Sequence, residues 1–125
     1  MSFDWSEYID IVFDLLNSTR MDLEEAYCRA SISRAYYGVF CLLRDKAGLK
    51  TYKPKSKAEP GVHWKVINQY KISPDFKTKS IGLGLDRLRK MRNIADYDGD
   101  QSIKISQAER AVMTAMEVLQ NLWVP

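Results

Sequence analysis

Apolar side chains recur every three or four residues through most of this chain, which is the spacing of one face of an α-helix. In the first such segment, one face carries Trp5, Ile9, Val12 and Leu16. The pattern predicts no strand and five helices, at residues 4–17, 22–47, 62–70, 78–96 and from residue 106 onward. We therefore expect an all-α protein.

Turn-forming and capping residues mark the ends of these helices. Gly48 follows the second helix, at the position where a glycine often ends one. Pro74 separates the third helix from the fourth, and the Asp-Gly-Asp turn at 98–100 follows the fourth. Ser106 and Glu109 have the spacing of a capping box, which predicts that the fifth helix begins there.

The second predicted helix has two apolar faces, whereas a surface helix of a small bundle needs only one. One face carries Leu23, Tyr27, Ala30, Tyr37 and Cys41. The nearly opposite face carries Ile32, Tyr36, Val39 and Leu43. We expect this helix to be central, with its own bundle on one side and either the remaining helices or a second copy of the chain on the other. We favour the second copy, and so predict a homodimer, because small bundles often pair through such a face.

The chain has the size and composition of one globular domain, spanning residues 1–125, with 46% hydrophobic and 28% charged residues. No apolar run approaches the roughly 20 residues that cross a bilayer, so we expect no membrane association. Cys28 and Cys41 fall in the same predicted helix, roughly 20 Å apart, and cannot bond to each other. Reduced thiols of this kind indicate a cytoplasmic protein.

Basic residues are unevenly distributed, although the formal net charge is only +3. Five lysines lie within residues 46–57, and four arginines or lysines lie within residues 87–92. A solvated loop and an ordinary helix face would explain these clusters. A surface that contacts phosphates is the alternative, and the charge pattern leaves both open.

Two arginines lie where their helices should be apolar. Arg34 falls about 40° from Ala30 around the second helix, and Arg92 falls about 40° from Leu88 around the fourth. A guanidinium group is rarely buried without an anionic or carbonyl partner, so Arg34 either pairs with an acid of another helix or binds a phosphate. Arg92 can pair with Asp96, four residues on in its own helix, although the order Arg-then-Asp is the less favourable one for such a pair. One polar edge of the fourth helix carries Arg89, Arg92, Asn93 and Asp96.

Two stretches of the chain resemble the HEPN family. The sequence Ser-Ile-Ser-Arg-Ala-Tyr-Tyr-Gly-Val-Phe at 31–40 is similar to the second-helix pattern of that family. The sequence Arg-Asn-Ile-Ala-Asp-Tyr at 92–97 falls where the family has its R-x4-6-H motif. The resemblance covers nearly the whole chain. It implies an up-and-down bundle of four to five helices that dimerises and brings two copies of the motif into one cleft.

In active members of that family, the cleft is a metal-independent endoribonuclease. The arginine of the motif holds the scissile phosphate, while the histidine moves protons for attack by the RNA 2′-hydroxyl. The family also includes toxins that a minimal nucleotidyltransferase neutralises, and nucleases of defence systems. The resemblance thus implies RNA or a nucleotide as the ligand, and a nucleotidyltransferase antitoxin as a further partner.

The chain departs from the motif at the histidine, because Tyr97 stands where the histidine after Arg92 is expected. A tyrosine is a poor proton acceptor at neutral pH, and Asp96 would be a base weakened by its arginine neighbour. His63, the one histidine of the chain, opens the third predicted helix. It is either an exposed residue near a helix start, which we favour, or a histidine that completes the site from another helix.

We therefore predict a HEPN-like module that binds RNA, a nucleotide or a nucleotidyltransferase through an Arg92-centred cleft, with weak or no ribonuclease activity. An active endoribonuclease and a purely structural module are the alternatives. The candidate catalytic residues are Arg92, Asp96 and Tyr97. The candidate RNA- or nucleotide-binding residues are Arg34, Tyr37, Arg89, Lys90 and Asn93. No motif indicates a metal or a cofactor, and Gly82 and Gly84 indicate close helix packing rather than a nucleotide loop.

Overall fold

The computed structural model describes residues 2–17 and 21–123. Within them, five α-helices follow one another and no strand is present. They are α1 (Glu7–Leu16), α2 (Glu24–Lys46), α3 (Val62–Lys71), α4 (Phe76–Tyr97) and α5 (Ile105–Trp123), with a 3₁₀ turn at Met21–Leu23 before α2. The prediction of an all-α bundle is confirmed. None of these helices combines the length and the apolar character needed to cross a membrane.

The central helix of the bundle is α2, as its two apolar faces predict. It packs against α1, α4 and α5, while α3 packs mainly against α4. One face is completely buried and carries Ile32, Tyr36, Val39 and Leu43. The other face is only partly covered: Cys41 is a buried free thiol, whereas Ala30 is exposed, as is Leu23, which lies in the 3₁₀ turn before α2 rather than in the helix. This helix therefore presents an apolar strip that its own bundle does not cover, and the homodimer stays a prediction.

Local backbone chemistry sets the ends of α2 and α4. Gly48 has a φ of 74°, a left-handed conformation that suits glycine, and it ends α2 as expected. The fourth helix begins at Phe76 rather than at residue 78. The reason is that the Asp75 carboxylate accepts the backbone N–H of Thr78 at 2.9 Å and caps the helix from an earlier position.

The predicted start of α5 is wrong. The helix begins at Ile105, so Ser106 lies inside its first turn and cannot cap it. Instead, the side chain of Gln107 accepts the backbone N–H of Lys104 at 2.7 Å. A capping box has two hydrogen bonds, and this is the one in which the side chain at the third helical position accepts the backbone N–H of the N-cap residue. A capping interaction of the predicted kind is therefore present, but it lies closer to the N-terminus than the sequence pattern predicts.

Gly82 and Gly84 allow α4 to approach both of its neighbours closely, as predicted. A Cβ atom at Gly82 would lie 2.8 Å from the Cα atom of Lys71 in α3. A Cβ atom at Gly84 would lie 2.6 Å from a methyl carbon of Val118 in α5. Real Cβ atoms do not come so close to other atoms, so α4 is held between α3 and α5 at positions that suit only glycine.

Replacing Gly82 by alanine should destabilise the bundle, because the added methyl group meets backbone atoms of α3. Overpacking of this kind typically lowers the free energy of unfolding by about 1–3 kcal/mol. Gly99→Ala is the matched control, since nothing lies within 4 Å of a Cβ atom there. It should change the stability by less than about 0.5 kcal/mol. Urea unfolding measures both variants, and equal stabilities would contradict the close packing.

Candidate functional site

Arg92 lies in α4 and is buried, with only 5% of its surface exposed. Its Nη1 donates a hydrogen bond to the Tyr97 hydroxyl at 3.3 Å, within the same helix. The same nitrogen lies 3.9 Å from the Asp96 carboxylate, at the outer limit of an ion pair. Arg92 therefore contacts both of the other candidate catalytic residues, although its ion pair with Asp96 is loose.

Three tyrosine rings, which we call the tyrosine cage, enclose the guanidinium group of Arg92. Its central carbon lies 5.1 Å from the ring centre of Tyr36, 5.3 Å from that of Tyr37 and 5.6 Å from that of Tyr97. Ring faces attract a cation, but they are only weak acceptors for its N–H groups. Accordingly, the Nε of Arg92 is buried and has no hydrogen-bond partner among the described residues.

An open groove of about 470 Å³ lies beside the tyrosine cage. Its lining comprises Trp5, Tyr8, Ser33, Arg34, Tyr37, Cys41 and Asp96. The Ser33 hydroxyl donates to the Asp96 carboxylate at 3.1 Å, which fixes this carboxylate between α2 and α4. Tyr37 belongs to both the cage and the groove, so it connects Arg92 to the groove. In the part of the chain that the structure describes, no cluster of three or more His, Cys, Asp or Glu residues could hold a metal ion.

Arg34 reaches the same groove from α2. Its guanidinium carbon lies 5.2 Å from the ring centre of Tyr8 and 5.7 Å from that of Tyr37. The guanidinium carbon of Arg92 lies 5.3 Å from the same Tyr37 ring centre. The two guanidinium groups therefore lie within the separation of roughly 15 Å that we take as the limit for two arginines that meet a common anion. The structure thus brings Arg34 and Arg92 together around one tyrosine.

The remaining candidate binding residues lie in different places on α4. Arg89 precedes Arg92 by one turn, is half-buried, and has an Nε that is likewise buried without a partner among the described residues. Asn93 is exposed. Lys90 is displaced by about 200° around the helix from Arg92, is 75% exposed, and has its Nζ 3.6 Å from the Asp86 carboxylate. Arg89 therefore belongs with Arg92, whereas Lys90 points away from it.

Comparison with known proteins identifies the family of this chain. A model of the HEPN domain matches residues 6–122. The chain belongs to the HEPN family. An uncharacterized protein of Methanocaldococcus jannaschii is 29% identical to it over 117 residues, which cover 83% of this chain and 70% of that protein. No solved structure matches the chain significantly. The predicted membership of the HEPN family is confirmed.

His63 of this HEPN protein is not exposed, so the interpretation that we favoured for it is wrong. Its ring stacks on that of Phe40, with 4.2 Å between the ring centres. Its Nδ1 lies 2.5 Å from the Tyr36 hydroxyl. Burial and the nearby positive charges of Arg89 and Arg92 lower the pKa of His63 to about 4. The imidazole is therefore neutral at pH 7 and lies next to the residues that surround Arg92.

Arg29 holds the last turn of α4 in this HEPN protein, and sequence analysis missed it. Its guanidinium group donates hydrogen bonds to the backbone carbonyls of Ile94, Ala95 and Gln101. The Glu25 carboxylate, 3.1 Å away, fixes the guanidinium group from its own helix. A cation at the end of a helix complements the helix dipole, and here it also joins the last turn of α4 to the loop that follows it.

Arg29→Ala should loosen the end of α4 more than the rest of the core, because the carbonyl groups there lose a charged donor. Such hydrogen bonds contribute about 1.5–3 kcal/mol when buried, and less when partly exposed. We expect the free energy of unfolding to fall by about 1–3 kcal/mol and amide hydrogen exchange at 94–98 to become faster. Arg87→Ala removes an exposed arginine of α4 and should change neither measurement. Unchanged exchange in Arg29→Ala would refute this role.

His63 should also make stability depend on pH. The unfolded chain takes up the proton near pH 6.5, whereas the folded chain takes it up only near pH 4. Between these values the unfolded state holds more protons, so stability falls as the pH is lowered through this interval. His63→Gln removes the titrating group, and its free energy of unfolding should decline less steeply between pH 6.5 and 4. Parallel urea-unfolding profiles for the two proteins would show that folding does not lower the pKa of His63.

Proposed function

We propose that this chain binds RNA or a nucleotide in the groove beside Arg92, and that its ribonuclease activity is weak or absent. The observation that carries this proposal is the unpaired Nε of Arg92, on a side chain that is only 5% exposed. Burying a donor without a partner costs about 1–3 kcal/mol. A phosphate oxygen would supply the missing acceptor in a charge-assisted hydrogen bond. Membership of the HEPN family supports the same class of ligand.

The charges and rings around the groove favour a nucleic acid over other anions. Arg34 and Asp96 are the charged residues of its lining, and Arg92 adds a positive charge next to Tyr37. Trp5 and Tyr8 provide aromatic surfaces in the same lining. Unpaired bases stack on such rings, and arginines hold the phosphates between the bases. The ligand that fits these features is single-stranded RNA or a nucleotide.

The same geometry supports binding more than cleavage. Tyr97 occupies the position of the motif histidine, and its hydroxyl accepts a hydrogen bond from Arg92. A tyrosine hydroxyl accepts a proton poorly at neutral pH, so general base catalysis by this residue would be weak. A second candidate function is RNA cleavage with Asp96 as the base. One observation favours it, since the Asp96 carboxylate lines the groove and lies 3.9 Å from Arg92.

A second copy of the chain is part of the proposal. Ala30 of α2 and Leu23 of the preceding 3₁₀ turn are exposed, and pairing through this apolar surface would give a homodimer. The family resemblance implies that such a dimer has two copies of Arg92 in one cleft. A nucleotidyltransferase antitoxin is the other partner that the family suggests. A role as a toxin or a defence component in the cytoplasm would follow, and the free thiols of the chain agree with a reducing compartment.

RNA binding by the purified chain in EDTA tests the proposal. Arg92→Ala should weaken binding of a short unstructured RNA by about 10- to 100-fold, which corresponds to one lost charge-assisted hydrogen bond. The affinity of the natural protein should fall steeply with added salt, because binding releases counterions from the RNA. Arg87→Ala removes an exposed positive charge from the same helix, and it should leave binding nearly unchanged.

The Tyr97→His variant then tests the missing proton carrier in the same assay. General acid–base catalysis contributes about 10²–10⁴-fold, so cleavage should appear or rise by that order. Cleavage should disappear again when Arg92→Ala is added. If the natural protein already cleaves well and Arg92→Ala abolishes that activity, the active endoribonuclease is the correct alternative. If no variant binds or cleaves RNA, the proposed function is wrong.

A further inference from the structure

Tyr36 connects Arg92 to the one histidine of the chain. Its ring centre lies 5.1 Å from the guanidinium carbon of Arg92, and its hydroxyl lies 2.5 Å from Nδ1 of His63. Tyr36 is itself fully buried, so it has little freedom to move relative to either neighbour. Arg92 of α4 and His63 of α3 therefore both contact Tyr36, a fixed side chain of α2.

The hydrogen bond between Tyr36 and His63 determines which nitrogen of His63 carries a proton. Burial raises the pKa of Tyr36 far above its ordinary value, so its hydroxyl remains protonated and needs an acceptor. Among the described residues, Nδ1 of His63 is the acceptor in hydrogen-bond contact with it. The neutral imidazole consequently carries its own proton on Nε2, on the other side of the ring.

The polar groups that face His63 come from two helices. Tyr36 and Tyr37 lie on α2, with the ring centre of Tyr37 6.2 Å from that of His63. Arg89 and Arg92 lie on α4, and both disfavour the protonated ring. No carboxylate of the described residues contributes to its ionisation. Two cations thus act on His63 without a compensating anion, and an anion bound between them would reverse their effect.

We propose that His63, supplied by α3, is a phosphate-binding residue of the Arg92 site. Its Nε2–H donates to a phosphodiester that Arg89 and Arg92 hold. When that anion binds, Nδ1 takes up a proton from solvent, and its hydrogen bond with Tyr36 reverses so that Nδ1–H donates to the phenol oxygen. The inference rests on the function proposed above. It adds a histidine from a different helix, whereas the family motif would place one at position 97. Arg89 and Arg92, which would share the anion with His63, each have an Nε atom without a hydrogen-bond partner among the described residues.

Proton uptake on binding has a direction that can be measured. When an anion offsets the charges of Arg89 and Arg92, the pKa of His63 moves from about 4 back towards its ordinary value of 6.5. The bound state then holds more protons than the free state, so affinity rises as the pH falls. If the pKa of His63 returned completely to its ordinary value, the affinity would rise about tenfold between about pH 7.5 and 5.5. This is an upper limit, because burial of the ring still lowers the pKa.

A short oligothymidylate is the probe for this coupling. Its phosphodiesters keep their charge throughout the pH range, and cleavage is prevented because it has no 2′-hydroxyl group. Its affinity for the natural chain should rise by up to about tenfold between about pH 7.5 and 5.5. His63→Gln retains an acceptor for the Tyr36 hydroxyl but does not titrate, and its affinity should change by less than about twofold. The same pH dependence in both proteins would overturn the inference.

NMR of the imidazole in the untagged natural chain gives an answer that requires no variant to fold. His63 is the one histidine, so its ring resonances identify themselves. They should titrate near pH 4 in the free protein and at a higher pH when oligothymidylate saturates the site. Titration at the same pH in both states, with the oligonucleotide bound, would overturn the role of His63. Failure of the oligonucleotide to bind at any pH would instead count against the function proposed above.

Discussion

The guanidinium group of Arg92 is buried against three aromatic rings, and its carboxylate neighbour stays at a distance of 3.9 Å. Ring faces attract a positive charge without neutralising it. A close ion pair at the same place would have satisfied the guanidinium donors and cancelled the charge. Burial is the main cause that lowers the pKa of His63, and because the charge of Arg92 remains, it adds to this effect together with Arg89. The anion binding that we propose for the groove would depend on the same uncancelled charge.

The bundle positions this arrangement by contacts that lie outside it. Ser33 holds the Asp96 carboxylate from α2, which helps to keep that carboxylate from closing onto Arg92. Arg29 ties the last turn of α4 to the same helix, through backbone carbonyls rather than side chains. Since α2 also contributes two rings of the tyrosine cage, one central helix sets the geometry of nearly every group around Arg92. A substitution in α2 can therefore alter the site without touching a ligand.

Apolar spacing was sufficient to predict all five helices and the central place of α2, because it depends on residues within a few turns of one another. The same spacing placed Arg92 on the apolar face of its helix and so predicted that it is buried. The burial of His63 was also detectable, although its place at a helix start suggested exposure: its helical face continues with Val66, Ile67 and Tyr70. Arg29 was not predictable, since its acceptors lie 65 to 72 residues away along the chain. The start of α5 was missed because Gln107, rather than Ser106, supplies the cap.

The close contacts at Gly82 and Gly84 also determine how the site can respond when a ligand arrives. One uninterrupted helix joins Gly82 to Arg92, so the position set at the glycines is transmitted over roughly 15 Å to the guanidinium group. Sliding or rotation of α4 would drive it into α3 and α5, which removes helix shifts from the available responses. Capture would then depend on side-chain movement that opens a path to the buried Nε of Arg92, and not on movement of the helix. Different ligands would be distinguished chiefly by their residence times.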